Sequence, residues 1–209
     1  SSPERARRDP AGSFATNVGG TLHLLEAIRA TAPGARLVSL SSAAVYGAGA
    51  DGPLDEGAPP APRSVYGASK LAAELLCGQH AREHGLPVAT LRAFNLIGPG
   101  QPASQAAAEF AGAVGAALAR GRDEALIAVG DPATGRDFTD VRDAAAAVAA
   151  VVSSRAEGTF NLCSGRIATL RDLADELAAL ATERAGRPFA VRLAPDPERR
   201  RGDPRTLRG

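Results

Sequence analysis

Tyr66 and Lys70 stand four residues apart in the stretch Ser64-Val65-Tyr66-Gly67-Ala68-Ser69-Lys70. On a helix that spacing puts both side chains on one face. Lys70 is the only lysine in a chain whose other strong bases are all arginines, and Tyr66 is one of two tyrosines. A phenol with pKa ~10 is a poor base at neutral pH, and a cation within a few ångströms stabilises the phenolate. A compact ammonium can do this while also hydrogen-bonding a sugar hydroxyl, a combination that a planar guanidinium does not reproduce. The pair therefore reads as proton-transfer chemistry beside a hydroxylated ligand. Ser42 adds a hydroxyl that can orient a substrate oxygen or the Tyr66 phenol.

The elements that must position these groups follow from pattern. Apolar Val18, Leu22, Leu25 and Ile28 recur at helical spacing, so residues 14–31 read as a helix ended by Pro33-Gly34. Residues 36–42 form a short apolar run, read as a buried strand with Ser41-Ser42 at its close. Residues 47–63 are rich in Gly, Pro and Asp and read as a loop. The helix carrying Tyr66 and Lys70 runs to about His84, where Gly85 and Pro87 stop it. Further strands are expected at 88–92, 126–129, 159–162 and 190–193, and further helices at 104–120, 140–154 and 169–185, the last with Thr169 as N-cap. Residues 93–102 and 131–135 read as loop and turn.

Strand and helix alternate with short connections, which predicts an α/β fold with a parallel sheet. Such sheets bind ligands at the carboxyl ends of their strands. Ser42, the Tyr66–Lys70 helix and Asn95 with Gly98-Pro99 should then converge on one crevice.

Composition narrows the function classes. The net charge of +1 gives no sign of a nucleic-acid partner. Cys77 and Cys163 do not form a disulfide framework, so a reducing cytoplasm is the default. His and Cys show no metal-ligand spacing. No apolar run reaches the ~18 residues of a membrane span, and no signal peptide is visible.

Five motifs occur in order. They are Asn17-Val18-Gly19-Gly20-Thr21, Ser41 to Gly47, Tyr66 to Lys70, Arg92 to Gln101, and Arg136 to Asp143; Phe160 to Gly165 follows as a late strand and turn. In this ordered set the chain resembles the extended short-chain dehydrogenase/reductase family, the NAD-dependent epimerases/dehydratases of nucleotide sugars. The resemblance implies a Rossmann-like doubly wound parallel sheet with a small α/β substrate-binding lobe. Residues 1–98 would hold the C-terminal half of the dinucleotide-binding domain, to which 139–165 return. Residues 99–138 and 166–209 would form the lobe.

Carried onto matching positions, the resemblance implies that Ser42, Tyr66 and Lys70 are catalytic. Asn17, Tyr66 and Lys70 would contact the cofactor, NAD or NADP. Asn95, Arg136 and Arg200 would contact the nucleotide-diphosphate sugar, the arginines gripping its phosphates. It also implies a homodimer through the helices at 14–31 and 65–84.

Two departures from the family pattern matter. Dehydratases of the family carry acidic residues after the catalytic Ser or Thr, for acid/base work. Here Ala43-Ala44 occupy that place, which disfavours dehydration and leaves reductase and 4-epimerase readings open. The Asn95–Gln101 stretch most resembles GDP-4-keto-6-deoxymannose reductases. The glycine-rich turn that opens the family's dinucleotide-binding domain has no counterpart before Asn17. The expectation is an N-terminally incomplete fold that either performs hydride transfer at the sugar C4 position or, alternatively, is a truncated, partner-dependent or non-catalytic member.

Overall fold

In a computed structural model the described residues are 2–47, 52–196, 198 and, for the backbone alone, 206–207. Three strands, β1 (Leu37–Ser42), β2 (Val88–Ala93) and β6 (Gly158–Leu162), form a parallel sheet in the order β1-β2-β6. Alternation along β1 and β2 sends side chains to opposite faces. Leu37 and Val88 meet α3 (Gly20–Thr31) and α4 (Val65–His84) through Leu25, Ile28 and Cys77. Val38, Leu91 and Leu162 meet α6 (Val141–Ser154) through Ala144, Ala147 and Val148. With helices on both faces of a parallel sheet, the fold is α/β, Rossmann-like and doubly wound. Among the described residues β1 has a partner strand on one edge only.

Two further small sheets are present among the described residues. β3 (Asn95–Ile97), β5 (Gly135–Asp140) and β7 (Ile167–Thr169) pair side by side, β3–β5 parallel and β5–β7 antiparallel, with β9 (Thr206–Leu207) beside β5. β4 (Glu124–Val129) and β8 (Ala190–Pro195) pair parallel, and α5 (Ala106–Ala119) and α7 (Leu170–Ala185) cover them through Phe110, Val114, Ala174 and Ala181. Residues 93–102 read as a loop, which hides β3, and residues 136–139 of β5 carry no strand signal. β3 is three residues long beside Gly98-Pro99, and β5 is polar except at Phe138, so neither offers the continuous apolar run of a buried strand.

The amino-terminal region also differs. Residues 3–8 and 10–14 are short helices, α1 (Pro3–Arg8) and α2 (Pro10–Phe14), capped by the side chains of Ser2 and Asp9. A π-helical turn, Ala15–Gly19, then joins α2 to α3, so the helix expected from residue 14 is interrupted at Asn17. Elsewhere the caps match the sequence signals: Gly85 ends α4 in a left-handed conformation, and Thr169 opens α7 with a capping box to Asp172. No helix among the described residues is long and apolar enough to cross a membrane.

Candidate active site

Ser64 opens α4 by accepting a hydrogen bond from the Gly67 amide at 3.0 Å. The first turn of α4 then runs close under the 3-10 turn Ala43–Tyr46 that follows β1. A Cβ at position 67 would collide with the Ala44 carbonyl oxygen, so only glycine permits this approach. The approach brings the Tyr66 phenol near the Ser42 hydroxyl, close enough for Ser42 to favour the phenolate. The Ser42 hydroxyl also accepts from the Ala44 amide at 3.2 Å, which fixes its direction.

Electrostatics at this pair differ from the sequence expectation. Burial pushes the Tyr66 phenol above its ordinary value, and nearby Ser42 brings it only part of the way back. Lys70 is engaged elsewhere. Its Nζ donates to the Leu40 carbonyl at 2.9 Å. Burial lowers the pKa of Lys70 itself, opposed by the Glu74 carboxylate. The expectation that the ammonium lowers the phenol is therefore corrected for this conformation, in which Tyr66 is a protonated phenol at neutral pH.

Asn17 reaches the same helix from the π-helical turn. Its Nδ2 donates to Ser69 Oγ at 2.9 Å, and Ser69 Oγ donates to the Tyr66 carbonyl at 2.8 Å. Asn17 and Lys70 line one cavity of about 210 Å³ with Thr21, Leu40 and Ser41.

Asn95 and Arg136 sit on adjacent strands of the second sheet, Asn95 facing Phe138 across the β3–β5 ladder. Asn95 Nδ2 donates to the Asp137 carbonyl at 3.0 Å, and Arg136 Nη1 to the Gly135 carbonyl at 2.9 Å. Neither is in hydrogen-bond contact with the Ser42–Tyr66 pair in this conformation. Arg200 lies outside the described residues.

Sequence reasoning missed two buried groups. Asp137 is fully buried and accepts from the Ser164 amide and hydroxyl and the Gly165 amide, each at 2.8 Å. It pins the turn after β6 onto β5, between the two expected substrate contacts. No local signal marks it, because its partners lie 27 and 28 residues away. The second group is Arg92 with Glu74, joined at 2.8 Å with both side chains nearly buried. Its signal was a lone charge ending an apolar strand and an acid one helical turn beyond Lys70.

The family model of the NAD dependent epimerase/dehydratase family matches residues 1–163. The chain belongs to this family. GDP-6-deoxy-D-mannose reductase of Pseudomonas aeruginosa is 38% identical over 208 residues, covering 98% of this chain and 66% of the relative. UDP-glucose 4-epimerase of Streptomyces lividans is 33% identical, covering 95% of this chain and 61% of the relative. Among solved structures, RMD from Pseudomonas aeruginosa complexed with NADPH superposes with a TM-score of 0.84 at 33% identity, over 100% of this chain and 68% of that one. The Thermus thermophilus UDP-glucose 4-epimerase complex with NAD gives a TM-score of 0.77 at 32% identity, over 97% and 64%. The chain thus spans roughly two thirds of the length of these family members.

Proposed function

We propose that this family member acts on a nucleotide-diphosphate sugar by NAD(P)-dependent hydride transfer at the sugar C4 position, with Tyr66 as the acid/base. The observation that carries the reading is the nearness of Ser42 to the Tyr66 phenol across the close Gly67–Ala44 approach, with Lys70 one turn along the same helix. Support for the substrate class comes from relatives named as acting on GDP- and UDP-sugars.

The donor set fits a dinucleotide. Lys70 and Asn17 line one cavity, and the ammonium has N–H groups beyond the one given to Leu40. Those donors suit the hydroxyls of a ribose, and Lys70 and Asn17 are the residues assigned to hold it. The bound nicotinamide supplies the hydride chemistry.

The chain's own groups do the rest. Ser42 donates to the C4 oxygen and holds it beside Tyr66. Tyr66, a protonated phenol, gives its proton to that oxygen as a C4 ketone is reduced. In the reverse direction the phenolate accepts the proton, and this requires Lys70 to leave the Leu40 carbonyl and turn its charge toward the phenol. The protonated resting state suits ketone reduction more directly than alcohol oxidation. Ala43 and Ala44 offer no proton carrier next to Ser42, so the chemistry assigned excludes elimination of water.

The sheets containing β3 and β4 are assigned to the sugar nucleotide, with Asn95 at the sugar and Arg136 and Arg200 at the phosphates. Exposed Leu22 and Leu24 on α3 and Leu75 on α4 support a homodimer through those helices. NADPH fluorescence titration tests the dinucleotide site cleanly, because the chain has no tryptophan. Saturable binding supports the reading, and no binding at millimolar NADPH and NADH contradicts it for this chain.

A further inference from the structure

The Glu74–Arg92 ion pair lies behind the Ser42–Tyr66 pair, and the mechanism above makes no use of it. Glu74 is one helical turn past Lys70 on α4, and Arg92 is the last but one residue of β2. Their side chains are 9% and 8% exposed. Arg92 Nε donates to both Glu74 oxygens at 3.2 Å, and Nη2 donates to Oε2 at 2.8 Å. Taking two such charges out of water costs several kcal/mol per ion, and the cost is recovered only with good geometry and satisfied remaining donors.

Both conditions hold. Arg92 Nη1 donates to the Tyr46 hydroxyl at 2.9 Å and to the Glu56 carbonyl at 3.3 Å. Its guanidinium carbon stands 4.8 Å from the centre of the Tyr46 ring, and Tyr46 donates onward to Asn161 Oδ1 at 2.8 Å. The Ser41 hydroxyl donates to Glu74 Oε1. One ion pair therefore joins the middle of α4, the end of β1 next to Ser42, the end of β2, and the 3-10 turn that Ser42 caps.

We propose that Glu74 and Arg92 are positioning residues for Tyr66 and Ser42, their buried ion pair setting the height of α4 over the ends of β1 and β2. A pair of this kind is weak evidence for stability, since apolar replacements of similar size are often as stable; fixed geometry is the role argued for it here. The height matters because the first turn of α4 meets the 43–46 turn with no room for a Cβ. A small rise of α4 separates the two hydroxyls. The charged or titratable groups that face Glu74 are Arg92, Lys70 and Cys77.

The inference rests on the reading that Tyr66 and Ser42 act together, and its test needs no turnover. With only two tyrosines, NMR of isotope-labelled tyrosine follows the Tyr66 titration directly, its signal assigned with Tyr66→Phe. In the wild-type chain Ser42→Ala removes the hydroxyl that favours the phenolate, so the Tyr66 titration moves to higher pH. In a Glu74→Gln background the same Ser42→Ala change is expected to cause no shift. A merely structural ion pair would lower the unfolding midpoint yet leave the Ser42→Ala shift intact, and that result overturns the proposal.

Should Glu74→Gln fail to fold, two gentler variants are read the same way. The double change Glu74→Met with Arg92→Met leaves no orphan charge, and Ser41→Ala removes a single bond. Persistence of the full Ser42→Ala shift in either overturns the proposal. A wild-type titration indifferent to Ser42→Ala overturns it as well, since no pair then exists to be positioned. Failure of NADPH binding with these shifts as expected counts against the proposed function alone.

Discussion

Lys70 gives its ammonium to the Leu40 carbonyl, 2.9 Å away, while its helix neighbour Tyr66 lies under the influence of Ser42. Leu40 belongs to β1, which has a partner strand on one edge only among the described residues. The lysine thus satisfies a strand carbonyl and leaves the phenol governed by burial and Ser42. The expected outcome is that Lys70→Met leaves the Tyr66 titration of the dinucleotide-free chain in place. The same change should weaken NADPH binding by about 1–2 kcal/mol, roughly tenfold, as one or two hydrogen bonds are lost. Tyrosine NMR and fluorescence titration read the two effects separately. A large upward shift of Tyr66 in Lys70→Met would show that the ammonium already acts on the phenol.

The raised Tyr66 value fixes an alkaline stability trend. The folded phenol holds its proton more tightly than the unfolded one, whose pKa is ~10. Its contribution to stability is therefore full below about pH 10 and is lost as pH rises through the folded value. Urea midpoints of wild type and Tyr66→Phe should keep a constant gap up to about pH 10 and shift against wild type above it. Lys70 and the cysteines are common to both proteins and cancel in the comparison.

Asp137 carries the junction between the sheets. Asp137→Ala leaves the part-buried Ser164 and Gly165 amides without their acceptor. The expected loss is about 1–2 kcal/mol in denaturant unfolding, from donors left without a charged acceptor. Asn95 donates to the main-chain carbonyl of residue 137, which the substitution keeps, so that bond should survive while stability falls.

Two glycines should respond oppositely to alanine. Gly67→Ala drives a methyl group into the Ala44 carbonyl at the Ser42 turn, and is expected to cost about 2 kcal/mol and to move Tyr66 away from Ser42. Gly112 lies inside α5 with nothing near its missing Cβ, so Gly112→Ala should stabilise by about 0.5–1 kcal/mol. Thermal unfolding of the two variants checks both signs.

Much of the helical framework was legible in the sequence because its signals are local. α4 showed itself through the Tyr66–Lys70 spacing and the Gly85 stop, and both features appear in the structure. β3, β5 and β7 were not legible, because β3 and β7 are only three residues long and β5 is polar except at Phe138. The π-helical turn at Asn17 is invisible to a periodicity of 3.6 residues. The partner of Lys70, the four donors gathered on Asp137 with Asn95, and the Glu74–Arg92 pair are contacts between distant segments. Spacing along the chain cannot specify them, so the phenol's protonation state and the positioning of its helix emerged only from the packed structure.

The claim at the centre of this account is proton transfer by Tyr66 at the sugar C4 oxygen. The direct measurement is NADPH consumption by the chain with a 4-keto sugar nucleotide, for wild type and Tyr66→Phe. The account predicts consumption by wild type, and a loss of about 10²–10⁴-fold in Tyr66→Phe with NADPH affinity nearly unchanged. Equal rates for the two proteins, or no consumption by wild type despite measured NADPH binding, would contradict it.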